Sequence, residues 1–466
     1  MKFPLRIITL LFIISAGSVP PLISQVPVKD QITDTVRCKN DATQSYALYI
    51  PAKYDNKKSW PVILIFDPAA VGKRGVSAFL EGGRKYGFLL ACSNNSRNGP
   101  LEDNLTAADA MLRDMTEKFN IDQKRIYASG FSGGSRFAMS FAMTENRISG
   151  VIGCGAGLPG NNFSSPRGNS GFLYYGIAGK RDMNLPEMYK LSEFLNGRPG
   201  IISYFRTFAG GHQWPPSELM TGAVEWIVLQ EMNRKDLPAD QELISVFEKK
   251  TGNLIDSTLA DGNFIDAVRY MKSAERDFKG TPFEARMDKL AAETENSPEY
   301  STAIRKWTGI VSEEEEIKEK HINYLSEILN SASIPDTASV WWKRETGSLA
   351  RMRDKGAPEK SQMASRILNF ISIGCSMQGT SLYRSGYFAQ AAFLFEICTW
   401  SDSENPENYY NLARSFAMDG KTKKSVEVMA AVVDHGFPLR KRVLTDKAFN
   451  SIRADDGYKA LIHKMK

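Results

Sequence analysis

From about residue 45 to 234, short apolar runs alternate with segments of helical periodicity. Tyr46-Ala47-Leu48-Tyr49-Ile50 stops at Pro51, and Pro61-Val62-Ile63-Leu64-Ile65-Phe66 is apolar throughout. Similar runs are Gly87–Ala91, Arg125–Ala128, Gly150–Gly153, Phe172–Gly176 and Ile201–Phe205. Strands that are apolar on both faces predict a mostly parallel sheet covered by helices on each side. One such helix is marked by Leu105, Ala108, Met111, Leu112 and Met115, which recur at helical spacing. The pattern predicts a doubly wound α/β domain over residues 26–235.

The pattern changes near Asp236-Leu237-Pro238. Beyond it strand signals vanish, and residues 236–466 read as an all-α domain. Tyr409–Phe416 leads into Gly420, and Leu382 and Tyr383 lead into Gly386. The two glycines are 34 residues apart, the period of tetratricopeptide-like helical hairpins, clearest over 372–436. Asp261-Gly262-Asn263 looks like another turn of the same kind. Small residues such as Ala391 and Ala413 let paired helices approach, and glycine ends the first helix with a positive φ.

The N-terminus reads as a secretory signal within residues 1–25. Lys2 and Arg6 precede the apolar run Ile7–Ile14, and Ser15, Ala16 and Gly17 follow it. The run is too short to span a bilayer comfortably, so the expected location is secreted or periplasmic, without an integral span after signal removal. Net charge is +6, and the clearest charge run is acidic, Glu313–Glu316, which reads as a solvated helix face. Nothing in this balance points to nucleic acid. The 5 cysteines are scattered without metal-ligand spacing. No metal, cofactor or disulfide framework is expected; Cys92 and Cys154 end strand-like runs and read as small core residues.

The candidate chemistry lies in the first half. Gly130-Phe131-Ser132-Gly133-Gly134 follows the Arg125 strand and precedes the helical stretch Ser135–Met143. Strand, Gly-x-Ser-x-Gly, helix is the context of a nucleophile elbow. The tight turn needs small flanking residues, lifts the Ser132 hydroxyl out of the sheet and aims the Gly133 N–H at a developing oxyanion. Asp182 follows the Phe172 strand and His212 follows the last strand. The order Ser, Asp, His places all three at carboxyl ends of strands, the edge that carries sites in α/β sheets. His212 is the sole histidine before residue 321, so it is the one base available within that domain.

Together with Gly210-Gly211-His212-Gln213-Trp214-Pro215, the segment Arg125–Gly134 resembles secreted α/β-hydrolase esterases of the polyhydroxybutyrate-depolymerase and feruloyl-esterase type. The resemblance covers about residues 40–234. It implies hydrolysis of a small or polymer-linked carboxylic ester by an acyl-enzyme, with Ser132, His212 and Asp182 as triad. It also implies a pocket role for Trp214, a residue that equally suits a core. Such esterases usually carry His-Gly after the strand at 61–66, where this chain has Asp67-Pro68-Ala69-Ala70. Pro68 has no N–H, so Ala69 becomes the expected second oxyanion donor, with Ala70 as the alternative. Asp67 places a carboxylate nearby, adverse unless it is paired. A serine peptidase of the same fold is an alternative. So is a weak or inactive hydrolase domain serving a helical-repeat region that binds a protein partner.

Overall fold

The computed structural model describes residues 27–158, 171–331, 333–434 and 440–465. The expected signal segment lies outside them.

The first half of the chain runs β1 (Ile32–Arg37), β2 (Ser45–Tyr49), β3 (Trp60–Phe66), α1 (Gly72–Tyr86), β4 (Leu89–Ser93), α2 (Leu101–Lys118), β5 (Ile121–Phe131), α3 (Gly133–Thr144), β6 (Ile148–Cys154), β7 (Phe172–Gly179), α4 (Leu185–Asn196), β8 (Ile201–Phe208) and α5 (Ser217–Asn233). The 8 strands form one sheet in the order β1-β2-β4-β3-β5-β6-β7-β8. β3 to β8 are parallel, while β2 pairs antiparallel with both β1 and β4. This is the α/β-hydrolase arrangement.

β3 explains the layering. Ile63 and Ile65 belong to the core beneath α1 and α5, while Val62, Leu64 and Phe66 belong to the core beneath α2 and α3. Side chains alternate across a strand, so an unbroken apolar run feeds both layers. Two expectations shift. Gly87 caps α1 with a φ of 74°, its N–H and that of Phe88 closing on the Gly83 carbonyl, so β4 begins at Leu89. β1 is an addition to the expected strands: in Ile-Thr-Asp-Thr-Val-Arg only Thr33 and Val36 are buried, too weak an alternation to read.

The second half is helical: α6 (Gln241–Ala260), α7 (Phe264–Asp277), α8 (Pro282–Glu295), α9 (Pro298–Asn330), α10 (Asp336–Lys355), α11 (Pro358–Arg384), α12 (Phe388–Ser401), α13 (Pro406–Met418) and α14 (Thr422–Asp434), with shorter helices after residue 440. Gly262, Gly386 and Gly420 have φ of 71°, 84° and 76°. Each sits in the same turn, in which the next residue's N–H reaches back five residues: Asn263 to Thr258, Tyr387 to Leu382, Lys421 to Phe416.

The first of these helices are built onto the sheet. Phe247 and Ile255 of α6, with Ala267, Tyr270 and Met271 of α7, share one core with Tyr204, Trp226 and Ile227. Tyr270 stacks on Tyr204 with ring centroids 5.9 Å apart. Asp266 accepts from Thr207 Oγ1 and Tyr189 Oη, each at 2.7 Å. α7 therefore covers β8, which would otherwise be an open sheet edge. No helix of the described residues is long and apolar enough to cross a membrane. All 5 cysteines are buried free thiols; Cys92 and Cys154 lie in the sheet core.

Candidate active site

Ser132 stands between β5 and α3 with φ 53° and ψ −121°, a conformation that a residue with a side chain holds only when its surroundings enforce it. They do so by close approach. A Cβ on Gly130 would stand 2.3 Å from the Gly134 backbone, and one on Gly134 would stand 2.0 Å from the Phe66 carbonyl. The Ser132 N–H donates to the Cys154 carbonyl at 2.8 Å, tying the elbow to β6. Gly133, first residue of α3, leaves its N–H without a carbonyl one helical turn back.

His212 Nε2 lies 2.8 Å from Ser132 Oγ, and His212 Nδ1 lies 2.9 Å from Asp182 Oδ1. The structure thus brings together the three residues that the sequence spreads over 80 positions. Asp182 is fully buried. Its Oδ1 also accepts from the Asn184 N–H at 2.9 Å. The acid loop is fixed from within, because the Lys180 N–H donates to Phe208 and the Arg181 N–H to Gly210, each at 2.8 Å. Those bonds bind the acid loop to the segment that carries His212. Phe131 lies against the His212 ring at 4.7 Å and against Trp214 at 5.6 Å.

The turn after β3 departs from expectation. The Ala69 N–H, expected to face an oxyanion, donates instead to Asp67 Oδ1 at 2.9 Å. The Val71 N–H reaches the same oxygen at 3.3 Å, and the Ala70 N–H goes to the Asp67 carbonyl. An aspartate commonly caps the backbone two residues on in this way, and here it draws the turn's donors inward. The carboxylate is paired. Arg74 donates to both of its oxygens, and Trp214 Nε1 donates to Oδ2 at 3.0 Å. Burial pushes the Asp67 pKa upward, but the bonds from Arg74, Trp214 and Ala69 outweigh it and hold the group below the usual carboxylate value. Trp214 is therefore a half-buried tie between the His212 and Asp67 loops.

Asn98 occupies the space left beside the nucleophile. A Cβ on Gly133 would stand 1.8 Å from Asn98 Oδ1. The loop carrying it is held by the Asn98 N–H on the Pro68 carbonyl at 2.9 Å and by a bridge between Arg97 and Ala69. Its sequence, Ser-Asn-Asn-Ser-Arg-Asn after a strand end, marks a loop but does not single out Asn98. Neither the cavity of about 480 Å³ beneath α5 and α6 nor that of about 560 Å³ between α4 and α9 is lined by a triad residue.

The acidic run is a solvated face except at Glu314. Glu314 is buried between Arg366 and Lys318, while Glu313 and Glu315 pair with Lys360 and Lys190. Four consecutive helical positions spread around the axis, so one of them turns inward.

No family model matches the chain, and no curated protein does. Among solved structures, a bifunctional GH43-CE protein of Bacteroides eggerthii aligns with 44% of this chain at 14% identity and TM-score 0.36; the match spans 38% of that protein. Est1E of Butyrivibrio proteoclasticus aligns with 42% of this chain, and 97% of its own, at 16% identity and TM-score 0.32. An esterase of Pyrobaculum calidifontis aligns with 43% of this chain, and 85% of its own, at 13% identity and TM-score 0.34. The α/β-hydrolase fold of this chain is written in its own strand order and in the elbow between β5 and α3.

Proposed function

We propose that this chain is an exported serine hydrolase that cleaves a carboxylic ester through a covalent acyl-enzyme. The observation that supports it best is the hydrogen-bonded line from Ser132 Oγ through His212 to Asp182, 2.8 and 2.9 Å, mounted on a strained elbow. Ser132 Oγ attacks the ester carbonyl carbon as its proton passes to His212 Nε2. Asp182 holds the Nδ1–H and stabilises the imidazolium. The carbonyl electron pair moves onto oxygen, which the Gly133 N–H meets. Collapse breaks the ester C–O bond. The alcohol takes the proton from His212, and Ser132 is left acylated. Water then repeats the sequence with His212 as base and releases the carboxylic acid. Asn98 is the neighbouring side chain placed to share the oxyanion with Gly133; Ala69 serves only if its N–H leaves Asp67.

One observation favours a silent hydrolase domain instead, the commitment of the Ala69 N–H to Asp67. A fluorophosphonate probe and a p-nitrophenyl short-chain ester separate the readings. The enzyme labels at Ser132, and Ser132→Ala costs on the order of 10⁴–10⁶ in kcat. A Ser132→Ala protein retaining a tenth of the activity refutes the assignment, and a wild-type chain that neither labels nor turns over ester is the silent domain. Parallel ester and amide substrates distinguish esterase from peptidase.

A further inference from the structure

The acid loop between β7 and α4 is gripped on its outer side by the helical half. Arg366 Nη1 of α11 donates to the Lys180 carbonyl at 3.0 Å. Asn369 Nδ2, one turn on, donates to the Arg181 carbonyl at 3.1 Å. Lys318 Nζ of α9 donates to the Met183 carbonyl at 3.2 Å. The three acceptors flank Asp182, whose own carbonyl is taken by the Leu185 N–H. Asn369 also lies against the backbone beside His212, since a Cβ on Gly211 would be 3.6 Å from its Nδ2.

The donors are themselves organised. Glu314 and Arg366 are each 1% exposed at their side chains and meet at 2.8 Å, Nε to Oε2. Lys318 takes the other Glu314 oxygen at 2.7 Å. Two cations thus share one buried carboxylate, and their remaining positive charge is turned toward backbone carbonyls, the negative ends of peptide dipoles. Burying two such cations is costly unless their donors find acceptors. The acceptors they find belong to a single turn, the one that carries the proposed catalytic acid.

We propose that Arg366, Asn369 and Lys318 are positioning residues for the triad, so that the helical half is a clamp on the Asp182 loop. This rests on the triad reading above. The Lys180 and Arg181 N–H groups face the His212 segment, while the Lys180, Arg181 and Met183 carbonyls face α11 and α9, so the loop is held on both sides. Releasing the outer side lets Asp182 drift from His212 Nδ1 without unfolding the sheet. A misplacement of about 1 Å at a reacting group costs roughly 10²-fold.

The test uses the full-length chain and a p-nitrophenyl ester. Asn369→Asp replaces a donor with a carboxylate facing the Arg181 carbonyl, and Lys318→Met removes the second grip. Each is expected to lower kcat roughly 10- to 100-fold, with KM within about twofold; the thermal midpoint should stay nearly unchanged in Asn369→Asp and fall in Lys318→Met, which also takes a cation from the buried Glu314. Arg366→Lys, which keeps a cation for Glu314, is expected to retain more activity than Arg366→Met. The decisive readout is the rate of fluorophosphonate labelling in an Asp182→Ala background, where residues that act through Asp182 have nothing left to lose. Asn369→Asp is expected to slow labelling in the wild-type background and to leave it unchanged in Asp182→Ala. Equal slowing in both backgrounds, or kcat falling only in step with stability, overturns the clamp. Wild-type kcat in both Asn369→Asp and Lys318→Met overturns it as well. Full activity in Ser132→Ala and Asp182→Ala would instead remove the triad reading and the clamp with it.

Discussion

Arg74 meets Asp67 with two parallel bonds, Nε to Oδ2 at 2.8 Å and Nη2 to Oδ1 at 2.6 Å, across the turn that faces the nucleophile. The pair converts an adverse carboxylate into a structural one. Asp67 is fully buried and organises Ala69, Val71, Arg74 and Trp214 around its two oxygens. Its pKa is depressed in the folded chain, so its stabilisation is present above the unfolded value of about 3.9 and is lost as pH falls through the folded value. Asp67→Asn is therefore expected to destabilise the fold by about 1–2 kcal/mol at pH 7, a figure kept low because Arg74 is 48% exposed and screened. The deficit should shrink as pH falls below that unfolded value. Urea unfolding of both proteins across that range checks it, and a deficit independent of pH would contradict the assignment.

Asn98 is expected to act in the transition state. Its amide lies over Gly133, and a half-turn of the amide exchanges Oδ1 for Nδ2 at that point. Asn98→Ala should lower kcat on the order of 10²-fold, the usual cost of one oxyanion donor, with little change in KM. Asn98→Asp should be worse, because a carboxylate beside the Gly133 N–H opposes a developing negative charge. If both variants keep kcat within about twofold, the second donor lies elsewhere, and an Ala69 N–H freed from Asp67 becomes the first place to look.

The parts legible in the sequence are those with a local signature. Continuous apolar runs mark β3 to β8 because both faces of a parallel strand are buried. Gly130, Gly133 and Gly134 mark a turn that leaves no room for a Cβ at those three positions around Ser132. Asp182 and His212 stand out because each follows a strand. The Ala69 expectation failed because the side chain of Asp67 competes for the same N–H, a contest the order of residues does not decide. Glu314 stands only within a charge run, and Lys318, Arg366 and Asn369 leave no signal. Arg366 reaches Lys180 across 186 residues, and no spacing rule links them. The covering of β8 by α7 was hidden for the same reason: Asp266 and Tyr270 read as ordinary helix positions until Thr207 and Tyr204 are seen beside them.

His321 is expected to make the helical half sensitive to mild acid. It is buried in α9, its Nδ1–H donates to the Ile317 carbonyl at 2.7 Å, and the Trp341 and Trp342 rings lie 5.2 and 5.1 Å away. Burial pushes its pKa below 6.5, with the Ile317 carbonyl and Glu345 opposing and Lys320 assisting. The unfolded chain then binds a proton that the folded chain refuses, so stability falls as pH drops below about 6.5 toward the folded value. The thermal midpoint of the wild-type chain should decrease between pH 7.5 and 5.5 by more than that of His321→Gln. Equal decreases would place the acid-sensitive group elsewhere.

Asp266 is the residue on which the sheet and the first helical hairpin depend together. Its side chain is 1% exposed and accepts from Tyr189 Oη, Thr207 Oγ1, Asn263 Nδ2 and Arg269 Nη1. Arg269 is itself 11% exposed and lies over the Tyr189 ring at 4.2 Å, so it cannot turn to water without disturbing α4. Asp266→Ala leaves that cation and two buried hydroxyls without their acceptor, and a loss of about 3–5 kcal/mol is expected. Asp266→Asn keeps the shape and part of the bonding and should cost less. Because β8 and α7 are released by the same change, a protease should then cut the connection between Asn233 and Gln241 at temperatures where the wild-type chain resists it. Destabilisation without that cleavage would show that α7 stays on β8 through the Tyr204–Tyr270 stack and the core they share.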